Sequence, residues 1–186
     1  MDFVYSQKFT SRSQYNMKIM YIDAQNIHKS TQDMWRTIDW DLFLSYSKKK
    51  FDIDSIKIFF GYVARYETLY KHLRELWYDV IFKETMILPN GDIKGNVDID
   101  IAIHSVLDLV EWGLQKFYLA TGDWDYNTLV DLLRKRGVLW RVLIPHREKA
   151  SKLLKRSAWP DVQVLEDIRY FIEKKNPVTQ GEQDSS

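Results

Sequence analysis

The sequence predicts an α/β fold, a three-layer α/β/α sandwich whose central sheet is mainly parallel and has five or six strands. Two observations predict it. Short runs of β-branched and aromatic residues are apolar on both faces, as the strands of a buried parallel sheet are. Segments with helical spacing alternate with these runs, and parallel strands need such helical crossovers.

Six strand-like runs follow one another along the chain. They occupy residues 17–23, 55–63, 78–82, 116–120, 137–144 and 162–165. The first, MKIMYID, ends on an aspartate, and the fourth, KFYLA, is soon followed by two more. In an open α/β sheet, ligands bind beyond the carboxyl ends of the strands, so these two strand ends are candidate positions for a functional site.

Three segments between the strands have helical length and spacing: residues 69–77, 98–112 and 125–136. In the first of them, Leu69, Leu73 and Leu76 recur on one helical face. The segment ILPNGDIKGN (87–96) combines Pro-Asn-Gly with a second glycine and predicts a turn or hairpin. The triple lysine Lys48–Lys50 is typical of a solvated helix end.

The length of 186 residues suits one domain. We expect a flexible extension over residues 1–16, one domain over residues 17–175 and a disordered tail over residues 176–186. The lack of cysteine excludes disulfides and thiolate metal sites. No apolar run approaches the roughly 20 residues of a membrane span, and residues 1–16 do not resemble a secretory signal. We therefore expect a cytoplasmic protein with no membrane segment.

The net charge of +1 hides an uneven distribution. Residues 134–156 contain nine Lys and Arg against one acid, Glu148. A solvated basic helix face is one explanation. The other is a positive surface beside an acidic site, which would suit a polyanionic substrate.

Acidic and amide side chains stand where the predicted sheet places a functional site. They come from three separate parts of the chain: Asp23 and Asn26, Asp98 and Asp100, and Asp123 and Asp125. Because the carboxyl ends of parallel strands meet at one edge of a sheet, we expect several of these groups to lie together.

Several carboxylates at one place repel one another unless a positive charge neutralises them. Oxygen ligands without His or Cys suit a hard cation, Mg²⁺ or Mn²⁺. Such an ion activates water and neutralises phosphate charge in phosphodiester hydrolysis. A structural explanation stays open as well: Asp23, Asp123 and above all Asp125 suit helix N-caps, and Asp98 and Asp100 suit the first turn of a helix.

Three segments resemble the motifs of the NYN domain family, which is PIN-like and is also called LabA-like. They are YIDAQNI (21–27), KGNVDIDIAI (94–103) and LATGDWDYNTLVDLLRKRG (119–137). The resemblance spans residues 17–173. It implies a PIN-like fold and a metal-dependent endoribonuclease that uses Mg²⁺ or Mn²⁺ on single-stranded or structured RNA.

The resemblance also implies roles for single residues. The catalytic set would be Asp23, Asn26, Asp98, Asp123 and Asp125, with the four aspartates as metal ligands and Asn26 positioning water or substrate. The resemblance also implies substrate contacts for Lys94 and Thr121. From residue type and position, and not from the family, we add Trp124 for base stacking and Arg134, Lys135 and Arg136 of the basic segment for the RNA backbone.

Two departures from the family pattern concern the middle motif. Asn96 makes the spacing between Lys94 and Asp98 one residue longer, and His104 stands where another aspartate is common. His104 suits either a proton-handling residue or, as we favour, an ordinary helix residue. Asp98 and Asp100 lie about 200° apart around a helix, so only one of them is expected to face the metal.

Two other functions remain as alternatives. A phosphotransferase using a magnesium–nucleotide complex is disfavoured because DAQNIHKS, after the first strand, has no glycine for a phosphate loop. The second alternative is a non-catalytic RNA-binding or scaffold module of the same fold. The sequence leaves open the RNA target, the cleavage of DNA, the number of metal ions and the oligomeric state, including a homodimer.

Overall fold

A computed structural model of the chain describes residues 16–27, 38–83, 86–87, 93–94 and 97–174. The expected tail over residues 176–186 and nearly all of the expected N-terminal extension lie outside these residues. Both stay predictions, as does the domain range 17–175.

The central sheet has six strands, and all of them are parallel, in the order β3-β2-β1-β6-β7-β8. Their bounds are β1 (Met17–Asp23), β2 (Ser55–Gly61), β3 (Asp79–Lys83), β6 (Leu114–Ala120), β7 (Leu139–Ile144) and β8 (Val162–Val164). Two further short strands, β4 (Met86–Ile87) and β5 (Ile93–Lys94), form an antiparallel hairpin where the sequence predicts one. Each predicted strand is found within two residues of its expected ends.

Six α-helices and three short 3₁₀ helices lie among the described residues, besides the helical residues 24–27 that follow β1. The 3₁₀ helices are Ala64–Tyr66, Trp124–Tyr126 and Glu166–Ile168. The α-helices are α1 (Trp40–Phe51), α2 (Glu67–Glu75), α3 (Asp98–Glu111), α4 (Asn127–Lys135), α5 (Lys152–Ala158) and α6 (Arg169–Ile172). The lysines Lys48–Lys50 form the last turn of α1, as their composition predicts. None of the helices in the described ranges combines the length and the apolar character that crossing a bilayer needs.

The helices cover both faces of the sheet and so produce two cores. On one face, Ile19 and Tyr21 of β1 pack in a cluster with residues of α3, α4 and α5. On the other face, Met20 and Ile22 pack with residues of α1, α2 and the segment before α6. Because each side of β1 is buried, its sequence is apolar from Ile19 to Ile22 instead of alternating. The predicted three-layer α/β sandwich is confirmed.

The strand order reverses between β1 and β6, because the chain builds outward from β1 to β3 and then returns to build from β6 to β8. Ile22 pairs with Ala120, so Asp23 and Thr121 follow at the same level on neighbouring strands. Such a reversal leaves a crevice beyond the carboxyl ends of the two strands. The fold therefore directs both aspartate-bearing strand ends into one crevice.

A buried ion pair ties α3 to the sheet beneath it. The Asp108 carboxylate, at the inner side of α3, accepts hydrogen bonds from Lys57 Nζ of β2 at 2.6 Å and from the Tyr21 hydroxyl of β1 at 2.5 Å. The side chains of Lys57 and Asp108 are only 15% and 7% exposed. Each group is paired, which is what allows charge to remain at this depth.

Replacing Asp108 by alanine is expected to lower the free energy of unfolding by about 3–5 kcal/mol, because the buried Lys57 ammonium loses its counter-charge and the Tyr21 hydroxyl loses its acceptor. Urea unfolding measures the loss. Glu111→Ala, on the exposed side of the same helix, is the matched control and should change stability by no more than about 0.5 kcal/mol. Equal effects of the two substitutions would contradict the assigned importance of the pair.

Candidate metal centre

Three carboxylates converge in the crevice at the reversal point. One oxygen each of Asp98, Asp123 and Asp125 lies within 4.8 Å of the other two, the only such group of three or more possible ligand residues in the described part of the chain. Asp98 is the first residue of α3, whereas Asp123 and Asp125 belong to the turn after β6. Partial desolvation and the charges of Asp123 and Asp98 raise the pKa of the Asp125 carboxyl.

The turn after β6 places the two neighbouring acids. Asp123 is the N-cap of the short 3₁₀ helix Trp124–Tyr126, and its Oδ1 accepts from the Asp125 N–H at 3.2 Å. The expectation that Asp125 is the favoured cap is therefore wrong, because the helical turn starts two residues earlier than the sequence indicates. The capping and cluster roles coincide in Asp123, since a carboxylate has two oxygens and can serve both.

Asp23 lies beneath this cluster, at the end of β1, and is only 5% exposed. Its Oδ1 accepts from the Asn26 N–H at 3.0 Å, and its Oδ2 accepts from the Tyr126 hydroxyl at 3.3 Å. Burial, together with the nearby charges of Asp98 and Asp123, raises the pKa of Asp23 to about 6, although both hydrogen bonds oppose the shift. The fourth acid is thus the most deeply desolvated.

Asn26 joins the two strand ends. Its Oδ1 accepts a hydrogen bond from the Gly122 N–H at 2.8 Å, across 96 residues of sequence. A Cβ at Gly122 would lie 3.2 Å from Pro145 Cδ and 3.4 Å from Asn26 Oδ1, so a larger residue would require these neighbours to shift slightly. The predicted contact of Asn26 with water or substrate stays a prediction, and the structure gives this side chain an internal role.

Thr121 also has an internal role. Its side chain is fully buried, and its hydroxyl accepts from the Asp123 N–H at 3.2 Å. The hydroxyl therefore holds the turn that carries Asp123. Its predicted contact with substrate stays untested.

Tyr126 is a site residue whose role the sequence does not reveal. The ring is 1% exposed, and the hydroxyl lies against the carboxylates of both Asp23 and Asp98. Burial and these two charges raise the pKa of the Tyr126 hydroxyl far above its usual range. Trp124, two residues earlier, points the other way and is 58% exposed beside the acids. Trp124 and Tyr126 are two residues apart in one turn of 3₁₀ helix, so one ring is exposed and the other is buried. This spacing is the sequence feature that indicates an internal position for Tyr126.

The two candidate acids of the middle motif, Asp98 and Asp100, lie in different surroundings. Asp98 joins the cluster, whereas the Asp100 carboxylate lies 2.9 Å from Lys83 Nζ at the end of β3. This separation follows from their positions about 200° apart on the helix. His104, farther along α3, packs edge-on against Phe59 with ring centroids 5.3 Å apart.

The predicted phosphate-binding cations fall into different places. Arg134, Lys135 and Arg136 lie at the C-terminal end of α4, which leads away from the crevice over about 13 Å. Arg134 Nε donates to the Ser157 carbonyl at 2.9 Å. Nothing is described of the Lys94 side chain. The predicted phosphate contacts of these four residues therefore stay predictions. Three of the four residues lie at the far end of α4, away from the crevice.

Another part of the basic segment lies closer to the acids. The connection from β7 to α5 contacts the Asp123 turn, since the Ser151 N–H donates to the Gly122 carbonyl at 3.2 Å. Lys149 and Lys152, on either side of Ser151, are exposed. This connection brings positive charge to the rim of the crevice.

Comparison with known proteins identifies a family and a structural likeness. The model of the family described as NYN domain matches residues 18–163, well over half of the chain. The fold resembles the crystal structure of VPA0982, a protein of unknown function from Vibrio parahaemolyticus RIMD 2210633, with a TM-score of 0.68 and 17% identity over 88% of this chain and 99% of that chain. At this identity the likeness shows a shared fold. A comparison with curated proteins finds no match.

The raised pKa of Asp23 predicts how the metal-free protein responds to pH. Below about pH 4 the carboxyl is protonated in both the folded and the unfolded chain, so it has no effect. As the pH rises from 4 to 6 the unfolded chain ionises first, and the folded state loses stability. Above pH 6 the loss is complete and constant.

Asp23→Asn removes this penalty and keeps the hydrogen-bonding shape. In the presence of a chelator, the Asp23→Asn variant should be more stable than the unmodified chain at pH 7 by on the order of 2 kcal/mol. At pH 4 the two should be equally stable. Urea unfolding across this pH range measures both values. A variant that is less stable than the unmodified chain at pH 7 would show that the carboxylate is not strained in the folded state.

Proposed function

Because the chain belongs to the NYN domain family and gathers its carboxylates at the reversal point of the sheet, we propose that it is a metal-dependent endoribonuclease. The observation that carries the proposal is the convergence of Asp98, Asp123 and Asp125 above the buried Asp23. These acids come from three distant parts of the chain. Asp123 also caps a 3₁₀ helix and Asp98 begins α3, but these separate roles do not require the carboxylates to meet.

The residues present fit a hard divalent cation. All the donors are carboxylate oxygens, which suit Mg²⁺ or Mn²⁺ and not a soft metal. Asp98, Asp123 and Asp125 would hold the ion, and Asp23 would join them or support them from beneath. When bound, the ion supplies charge neutralisation at a phosphate and a more acidic bound water.

The chain's own residues prepare the site for this chemistry. Asn26 and Thr121 fix the turn that carries Asp123, so the carboxylate is positioned before any ligand arrives. Burial keeps water away from Asp23. Asp125 is the exposed member of the cluster, whereas Asp98 and Asp123 are partly buried.

The surroundings of the cluster support RNA as the substrate. Trp124 offers an exposed aromatic face next to the acids, on which a base of a single strand can stack. Lys149 and Lys152 place positive charge on the adjoining connection, where the sugar–phosphate backbone can follow. Both groups recognise single-stranded nucleic acid in general. The choice of RNA over DNA comes from the family.

Metal binding is expected to stabilise the folded protein and to distinguish the two acids at the start of α3. At Mn²⁺ concentrations about a hundred times the dissociation constant, the melting temperature should rise by about 5–10 °C. Asp98→Asn should weaken Mn²⁺ binding by more than about tenfold. Asp100→Asn, two residues away and paired with Lys83, is the matched control and should bind Mn²⁺ normally.

Calorimetric titration and thermal melts measure both effects. The opposite result, in which Asp100→Asn loses Mn²⁺ and Asp98→Asn retains it, would contradict the assignment of Asp98. No binding by the unmodified chain would contradict the metal site itself.

Cleavage is expected to need the metal and Asp123. With end-labelled single-stranded RNA and Mn²⁺, Asp123→Asn should lower kcat/KM by about a hundredfold or more, and a chelator should abolish cleavage. Asparagine caps a helix as well as aspartate does, so this substitution removes the charge while the turn is kept. Circular dichroism checks that the fold is retained.

Cleavage that survives both the chelator and Asp123→Asn would overturn the nuclease proposal. Retention of RNA without cleavage by the unmodified chain would favour the non-catalytic RNA-binding module of the same fold. Single-stranded DNA of the same sequence, used as a second substrate, tests the preference for RNA.

A further inference from the structure

Helix α3, which the structure describes in full, presents an apolar surface to solvent. Five of its side chains are between 38% and 68% exposed: Ile99, Ile103, Val106, Leu107 and Val110. On a helical projection they occupy one continuous arc of about 100°, and no polar residue of α3 falls within it. We call these five residues the α3 stripe.

The inner side of α3 packs against the central sheet. Ile101, Ser105 and Asp108 face the sheet and are buried, so the helix has an ordinary core-facing side. The outer arc of such a helix normally carries charged and polar residues. In α3 the polar residues Asp100 and Glu111 lie only at the border of the stripe. An apolar outer side opposite an apolar inner side indicates that a second surface covers the helix.

We propose that the α3 stripe is the interface of a homodimer in which the two copies of α3 pack antiparallel about a two-fold axis. An axis passing between His104 and Ser105 places Ile99 opposite Val110 of the second copy. The same axis places Ile103 opposite Val106. The stripe is thus self-complementary, as an isologous interface requires. All four residues are β-branched and lose little side-chain entropy on packing.

The area of the stripe suits the centre of such an interface. At about 100 Å² for a fully exposed aliphatic side chain, the five residues offer on the order of 300 Å² of apolar surface per copy. A standard interface buries roughly 800 Å² per partner, with an apolar core and a polar rim. The stripe supplies the core, and the residues that flank it supply the rim.

The charges of α3 do not suit a nucleic acid or an anionic lipid surface as the occupant. The helix has no Lys or Arg that could hold such a partner. Two of its acids, Asp100 and Asp108, are already paired with Lys83 and Lys57. Packing against another α3 buries no charge in the stripe, since Asp100 at its border is already paired with Lys83. Antiparallel packing also opposes the two helix dipoles favourably.

Sedimentation of the full chain at low and high concentration tests the proposal. We expect a reversible dimer, and Ile103→Glu should raise its dissociation constant by at least about tenfold, because the interface would bury two carboxylates without partners. Adding Val106→Lys to Ile103→Glu should recover part of the affinity, since the two changed residues face each other across the axis. Leu132→Glu, at an exposed apolar residue of α4, is the control and should leave the dimer unchanged.

Cross-linking tests the antiparallel arrangement. Because the chain has no cysteine of its own, only the introduced cysteines can react. In the proposed pair, residue 106 of the two copies is offset by only about 5 Å along the helix axis, whereas residue 99 is offset by about 16 Å. A short bismaleimide should therefore link Val106→Cys to itself and should not link Ile99→Cys to itself. A mixture of the Ile99→Cys and Val110→Cys chains should link.

A chain that remains monomeric at every concentration overturns the proposal. So does a dimer that Ile103→Glu leaves intact, or one in which Ile99→Cys links to itself as readily as Val106→Cys. Thermal melts of each variant confirm that it is folded. None of these measurements involves metal or RNA, so their outcome is independent of the proposed nuclease activity.

Discussion

The hydrogen bond between Asn26 Oδ1 and the Gly122 N–H holds together the two strand ends on which the site depends. Parallel pairing brings β1 and β6 side by side, but it leaves the loops beyond them free to diverge. Asn26 closes this gap and at the same time donates its own N–H to Asp23. Gly122 permits the approach because it has no side chain to meet Pro145. Asn26 therefore sets the position of Asp23 through its backbone N–H and the course of the turn toward Asp123 through its side-chain oxygen.

The acidic site is held in place against an electrostatic cost. Asp23 is removed from water and faces the charges of Asp98 and Asp123, and the hydrogen bond from Tyr126 offsets only part of this. A fold selected for stability alone would place an apolar or amide side chain there. Costs of this kind concentrate at functional sites, where a ligand present during function compensates for them. The placement of the acids is consistent with a cation as that ligand.

Much of the fold could be predicted from the sequence, because buried parallel strands leave an unbroken apolar run such as residues 19–22. The three acidic segments could also be predicted, since they follow from where strands end and helices begin. The contacts of Tyr126 with Asp23 and Asp98 could not, because they depend on which side of a short 3₁₀ turn faces the core. The position of Arg134 in the last turn of α4, away from the acids, could not be predicted for a related reason. Nearness in sequence to Asp123 says nothing about the direction in which the intervening helix runs.

Helix α3 links two features that are otherwise separate, since its first residue belongs to the acidic cluster and its outer side forms the apolar stripe. An antiparallel pair of such helices puts the two clusters at opposite ends, roughly 20 Å apart along the axis, with their crevices opening in opposite directions. The assembly would then be bivalent only toward an RNA long enough to bend around it. Short oligonucleotides would meet two independent sites. Substrate length, and not sequence alone, would decide whether the second copy improves binding.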